Sequence, residues 1–139
     1  MKIYNSTHTK DTFFVMKEDG SVKKVNNNES QDIIGELLIT FEGSFALFSE
    51  LYVYPKYREK GVAKKIRKKA IKYVLKQKIK KIKTFISPFE EEDEKVISLN
   101  SLTSFYKKSF SKNGAKQIIT SFENDYNIMI ASFKKKKEN

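Results

Sequence analysis

The run Leu51-Tyr52-Val53-Tyr54-Pro55, followed by Arg58-Glu59-Lys60-Gly61-Val62-Ala63, constrains the fold more than any other stretch of the chain. Before Pro55 the residues are β-branched and aromatic. After Glu59 the period changes: Val62, Ile66, Ala70, Tyr73 and Val74 recur at helical spacing, and Lys60, Lys64, Lys65, Lys68, Lys72 and Lys76 cover the other side. Proline has no N–H to give a ladder, so the strand ends at Pro55. The new period predicts an amphipathic helix of about five turns, starting near Glu59. At such a helix start the first backbone N–H groups lack intrahelical partners, and the macrodipole adds roughly half a positive charge. Gly61 and Ala63 are small enough to let an anion approach that backbone, while Arg58, Lys60 and Lys64 add full charges. The turn is therefore predicted to hold a phosphate or pyrophosphate.

The flanking pattern is mostly short strands. Residues 13–17 form an apolar run closed by Glu18-Asp19-Gly20, residues 22–25 return as a second strand, and residues 26–30 read as loop. Residues 33–41 and 45–54 predict a hairpin about Glu42-Gly43-Ser44. Beyond the helix, residues 82–87 read as a strand stopped by Pro88, then comes the acidic run Glu90-Glu91-Glu92-Asp93-Glu94. A second helix is predicted over 96–112 with Asn113-Gly114 as its stop, and residues 116–122 and 126–133 as a closing strand pair. No repeat or linker divides the chain, which predicts a single domain over 1–133 and a frayed Lys-rich tail over 134–139. A dinucleotide-binding fold does not fit: Gly-x-Gly-x-x-Gly is absent, and the strands before the turn form hairpins instead of βαβ units.

Composition removes further classes. The 139 residues contain no cysteine, which excludes disulfide frameworks, zinc ribbons and thiol nucleophiles, and His8 alone supplies no nitrogen cluster for a metal. No apolar run approaches the length of a membrane span and the polar start is not a signal peptide, so a soluble, cytoplasmic protein is expected. The net charge is +11, and residues 59–83 alone carry it, with twelve basic residues against Glu59. Arg58 and Arg67 are the only arginines. Lysine, asparagine and isoleucine are all plentiful, as AT-rich coding tends to produce, and a protein that reads bases or grips phosphate bidentately would use more arginine.

Arg58-x-x-Gly61-x-Ala63, directly after Val53-x-Pro55, resembles the signature of the GNAT superfamily of acyl-CoA-dependent N-acetyltransferases, and the order of elements over residues 33–133 is similar to that family's. The resemblance implies an α/β fold with a central mixed, mostly antiparallel sheet and flanking helices. It implies acetyl-CoA as co-substrate, with the amides of Glu59, Lys60, Gly61, Val62, Ala63 and Lys64 around the pyrophosphate. The backbone of Tyr52, Val53 and Tyr54, at a splay in the sheet, would take pantetheine and the thioester oxygen. An N–H aimed at that oxygen stabilises a tetrahedral intermediate.

Direct transfer needs a base for the attacking amine and an acid for the departing thiolate, and no covalent intermediate. Some family members place an acidic residue where Glu50 stands. By strand alternation Glu50, Tyr52 and Tyr54 share one face and Leu51 and Val53 the other; the alternative for Glu50 is a solvent-exposed strand carboxylate. For the acid, Phe105-Tyr106-Lys107-Lys108 resembles the family's aromatic-Tyr-x-Lys ending, and a phenol suits protonation of a thiolate. Counted back from Gly114 without a gap, however, Phe110 takes the tyrosine position. The family's asparagine, seven residues earlier, is Leu99 or Thr103 in the two registers, leaving Asn100 beside it as a cofactor-binding candidate. Residues 18–32 leave no room for the usual pair of N-terminal helices, so this helical region is reduced and the acceptor side open.

These features lead to an N-acetyltransferase that moves an acetyl group to a primary amine in a ternary complex. Its implied partners are acetyl-CoA, an amine acceptor that is a small molecule or a protein, and a second copy in a homodimer. The alternative is a catalytically weak module of the same fold whose Lys-rich helix binds nucleic acid or an acidic macromolecule.

Overall fold

The computed structural model describes residues 2–5, 11–25, 27–30, 33–86, 98–124 and 126–134. Its elements are β1 (Lys2–Asn5), β2 (Asp11–Lys17), β3 (Val22–Val25), β4 (Asn27–Ser30), β5 (Ile33–Glu42), β6 (Phe45–Val53), α1 (Val62–Lys76), β7 (Lys81–Ile86), α2 (Leu99–Lys112), β8 (Ala115–Glu123) and β9 (Tyr126–Phe133). The main sheet has seven strands in the order β3-β2-β5-β6-β7-β9-β8. Every neighbour pair in it is antiparallel except β6 and β7, which α1 joins as a parallel crossover. This is the mixed, mostly antiparallel α/β sheet that the sequence predicts.

The main departures from the sequence reading among the described residues are the strand pair β1–β4 and the start of α1. Residues 27–30, read as loop, are β4, paired antiparallel with β1 from Lys2↔Ser30 to Asn5↔Asn27. Asn-Asn-Glu-Ser carries no apolar alternation, and its partner lies far off in the chain, so no local signal marks it. α1 starts at Val62 and not near Glu59, because Glu59 (φ 63°) and Gly61 (φ 78°) are both left-handed and cannot continue a right-handed helix. α2 starts at Leu99, where the Ser98 hydroxyl accepts the Ser101 N–H at 3.1 Å as an N-cap; the predicted start near Val96, the acidic run 90–94 and the tail 135–139 lie outside the described residues.

Both helices pack on one face of the sheet. Val62, Ile66, Ala70, Ile71 and Val74 of α1 are buried with Leu37 and Ile39 of β5, Ala46 and Phe48 of β6 and Ile82 of β7. Each larger side chain so buried is worth about 1.5–3 kcal/mol, which holds the basic helix down on the sheet despite its charge. α2 adds Tyr106 and Phe110, the latter 6.5 Å from the Phe48 ring and 6.3 Å from Phe133. A smaller cluster of Val15, Val25 and Ile33, with Phe13 beside it, forms separately.

Candidate functional site

The sheet opens at its centre. β6 and β7 pair from Phe45↔Lys81 to Phe48↔Thr84 and no further. Beyond that rung β6 stays with β5 while Phe85 and Ile86 stay with β9. The last shared rung is locked by the Thr84 hydroxyl, which donates to the Phe48 carbonyl at 3.2 Å in a buried setting. Among the described residues, β7 no longer pairs with residues 49–53 of β6, which is the splay the resemblance implies.

A β-bulge sits in that stretch. Leu38 pairs with Ser49 and Glu36 with Tyr52, so Glu50 and Leu51 together oppose Leu37. Leu51 and Val53 pack against the core cluster that holds the two helices. Tyr52 pairs with Glu36, which is buried, and its ring lies 5.4 Å from that of Tyr54. Counting by twos from Tyr52 to Glu50 runs across this bulge, where the extra residue interrupts the pleat. The Glu50 side chain lies outside the described residues.

The turn into α1 is braced from within. The Tyr54 N–H donates to the Ile34 carbonyl at 2.9 Å, and a single 3₁₀ turn over Pro55–Tyr57 follows. Arg58 Nε donates to the Val53 carbonyl at 2.7 Å, and its guanidinium lies 5.3 Å from the Tyr52 ring centroid. Arg58 thus ties the loop back to the strand, a role beyond the bare charge read from sequence. Tyr57 donates to Glu18 at 2.8 Å, which raises its phenol pKa, and the ammonium groups of Lys56 and Lys60 flank its ring at 5.7 and 6.0 Å.

Gly61 is the N-cap of α1, and the Lys65 N–H to Gly61 carbonyl bond of 3.1 Å opens the helical ladder. The amides of Val62, Ala63 and Lys64 precede it. No side chain caps them, and no acidic residue stands in the first turn, so nothing in α1 competes with an incoming anion. Gly61 has no neighbour within 4 Å of where a Cβ would lie, and Lys60 and Lys64 are exposed. Val62 is buried against Gly35; it anchors the helix start and offers only its amide. Tyr52, Val53, Tyr54 and residues 58–64 therefore lie together where the end of β6, beyond its pairing with β7, meets the start of α1.

The remaining candidates, Tyr106 and Asn100, are on α2. Tyr106, 6% exposed, lies on the buried face of α2 one turn before Phe110, which is fully buried. Its hydroxyl makes no hydrogen bond among the described residues. Burial raises its pKa, and the positive charge of Arg67 pulls the other way. Asn100 is exposed in the first turn of α2. Neither residue hydrogen-bonds or ring-stacks with residues 52–64.

Sequence reasoning missed three contributors. Gly35 permits the close approach of α1, and a glycine inside a strand was the available signal. Thr84 closes the last rung of the splay. Arg67, 0% exposed, bridges the two helices, donating from Nε to Ser109 at 3.0 Å. Its place one turn before Ala70 and Ile71, on the apolar side of α1 instead of the lysine face, was legible.

Comparisons with known proteins agree with this geometry. No curated protein is matched. The profile of the acetyltransferase (GNAT) family matches residues 3–99, more than half of the chain. Among solved structures the chain is similar to PaiA N-acetyltransferase from Thermoplasma acidophilum in complex with coenzyme A (TM-score 0.53, 20% identity), covering 77% of this chain and 58% of that one. Tetrahymena GCN5 (TM-score 0.54, 16% identity) is covered to 71% by 91% of this chain. The ribosomal-protein-S18-alanine N-acetyltransferase of Escherichia coli (TM-score 0.51, 9% identity) is covered to 70%, again by 91% of this chain. The chain spans less than two thirds of the length of the first of these. At such identities the structures speak to the fold, and it is the profile match, over the same splayed strand, turn and helix start, that places this chain in the GNAT acetyltransferase family.

Proposed function

We propose that the protein transfers an acetyl group from acetyl-CoA to a primary amine by direct attack in a ternary complex. The observation that carries the reading is the junction of β6 and α1: a strand that parts from β7 beyond Phe48↔Thr84, running through a braced turn into uncapped helix amides. In this reading the amides of residues 59–64 hold the pyrophosphate, with Lys60 and Lys64 beside it, and the edge of Tyr52–Tyr54 aligns pantetheine. The bulge at Glu50 and Leu51 re-aims the backbone there, which suits an N–H directed at the thioester oxygen. Tyr106 protonates the departing thiolate, and Glu50 or a water takes the amine proton. The coenzyme A complex of the Thermoplasma neighbour supports the choice of co-substrate.

Titration with acetyl-CoA followed by calorimetry tests the first half. Saturable binding with one site per chain is expected, and its absence sinks the reading. Transfer to a panel of amines, peptides and proteins, corrected for hydrolysis, tests the second half and identifies the acceptor.

A polyanion partner is a second reading, favoured by one observation. Lys64, Lys65, Lys68, Lys69, Lys72 and Lys76 are all exposed on α1, and none makes an ion pair among the described residues. In that case the lysine face supplies affinity through counterion release.

A further inference from the structure

Arg67 is held in a manner that folding alone does not call for. Its side chain is fully buried between α1 and α2, and beyond the Nε bond to Ser109 both terminal nitrogens, Nη1 and Nη2, are sequestered with no hydrogen-bond partner among the described residues. No carboxylate pairs with it among the described residues. Three rings surround the guanidinium carbon instead: Tyr106 at 4.4 Å, Phe110 at 4.6 Å and Phe48 at 5.6 Å. Cation–π attraction offsets part of the desolvation, yet an apolar side chain of similar length would fill the slot without burying a charge.

Of the three rings only Tyr106 has a proton to lose. Among the described residues, Phe105 of α2, at 5.6 Å between ring centroids, and Arg67 of α1 stand at that ring, and Arg67 is the titratable one of the two; Lys107 and Lys108, next along α2, are exposed. A fixed cation stacked on an ionisable ring stabilises the phenolate over the phenol. We propose that Arg67 is a positioning residue for proton delivery, its guanidinium holding the Tyr106 ring and balancing the phenolate left when the hydroxyl proton passes to the departing thiolate. In that step the O–H bond of Tyr106 breaks with its electron pair kept on oxygen, and an S–H bond forms on coenzyme A. Solvent then returns to Tyr106 the proton that the attacking amine has released. This inference rests on Tyr106 being the acid of the proposed reaction, but the coupling of the two residues is measurable without any turnover.

The test places 3,5-difluorotyrosine at position 106, which brings phenol ionisation into the range where the protein is folded and reports it by fluorine NMR. Arg67→Met removes the charge and keeps the length; Arg67→Lys keeps the charge. The midpoint is expected to rise by about one pH unit or more in the methionine variant, a weakening of the acid by about tenfold or more, with most of the shift recovered by lysine. With the natural tyrosine, Arg67→Met should lower kcat by about tenfold and leave KM for acetyl-CoA within about twofold. An unmoved midpoint in a folded Arg67→Met variant overturns the proposal, as does a moved midpoint with unchanged kcat. If the unmodified protein transfers to no acceptor, the acetyltransferase reading and the catalytic role of Arg67 fall together, whereas the titration still decides whether the ion and the ring are coupled.

Discussion

Val62 packs directly on Gly35, where a side chain could be placed only if its neighbours shifted: a Cβ there would lie 2.7 Å from Val62 Cγ1 and 3.0 Å from Ile66 Cδ1. The start of α1, whose amides face the proposed pyrophosphate, is seated through this contact on the strand that pairs with the bulged stretch of β6. Gly35→Ala is therefore expected to destabilise the fold by about 1–3 kcal/mol and to weaken acetyl-CoA binding by displacing the helix start. Adding Val62→Ala relieves the clash. A double-mutant cycle read by urea unfolding should show a favourable coupling of about 0.5–3 kcal/mol, and simple additivity would contradict the packing account.

Gly61 separates strain from charge. Its φ of 78° is left-handed, but nothing lies within 4 Å of a Cβ there, so Gly61→Ala is expected to cost only the backbone term, roughly 1–2 kcal/mol. Gly61→Glu adds a negative charge. At about 5 Å from a pyrophosphate and an effective dielectric near 20, it opposes binding by roughly 3 kcal/mol, or about a hundredfold. Calorimetry with acetyl-CoA should show near-normal affinity for alanine and a large loss for glutamate, while both variants stay folded by circular dichroism.

The strand–turn–helix unit was legible because Pro55, Gly61 and the change of period are local signals that act within a few residues of themselves. What escaped reading depends on distant partners. The bulge at Glu50 and Leu51 exists only as a register against Leu37, and Asn27–Ser30 becomes a strand only because Lys2–Asn5 lies beside it. Arg67 illustrates a third cause. Counted as one more basic residue in a basic helix it is ordinary, and only its angular position between the buried Val74 and Ile71 shows that it turns inward among aromatic rings that other elements contribute.

Tyr106→Phe removes one hydroxyl and retains the ring against Arg67, so acetyl-CoA affinity and stability should hold while kcat falls on the order of 10²–10⁴-fold. The sign of the pH dependence follows from burial, which raises the phenol above its ordinary 10.0. Because the acid must be protonated to act, Tyr106 contributes no loss of kcat through the neutral range, and its alkaline limb falls above pH 10. Turnover of Tyr106→Phe within about twofold of the unmodified protein would exclude it as the acid.

Arg67→Met should raise stability, by about 1–4 kcal/mol, because a buried cation with two nitrogens unpartnered among the described residues gives way to an apolar chain. Burial lowers the guanidinium pKa to about 10. The unfolded chain thus binds that proton more tightly, so the penalty is present in full below pH 10 and shrinks as pH rises beyond it. Urea unfolding at pH 7 and pH 9 should give the same gain. A marked loss in both would show that the aromatic cage outweighs desolvation, with Arg67 acting as a structural brace.

Lys68, Lys72 and Lys76 stand one helical turn apart on the exposed side of α1, with Val62, Ile66 and Ala70 buried on the other. Lys68 is already more than a turn beyond the uncapped amides of residues 62–64, so these lysines reach the helix start only through screened, solvent-exposed space. Changing all three to glutamine should keep acetyl-CoA affinity within about twofold of the unmodified protein. A duplex DNA titration of both forms separates the remaining roles of the face. If the lysines grip phosphates, the variant loses affinity for every sequence alike, and its salt dependence flattens by a slope of roughly 0.9 for each phosphate no longer neutralised. No binding by either form at low ionic strength would leave the lysines as a solvated surface and remove nucleic acid from the partners of this fold.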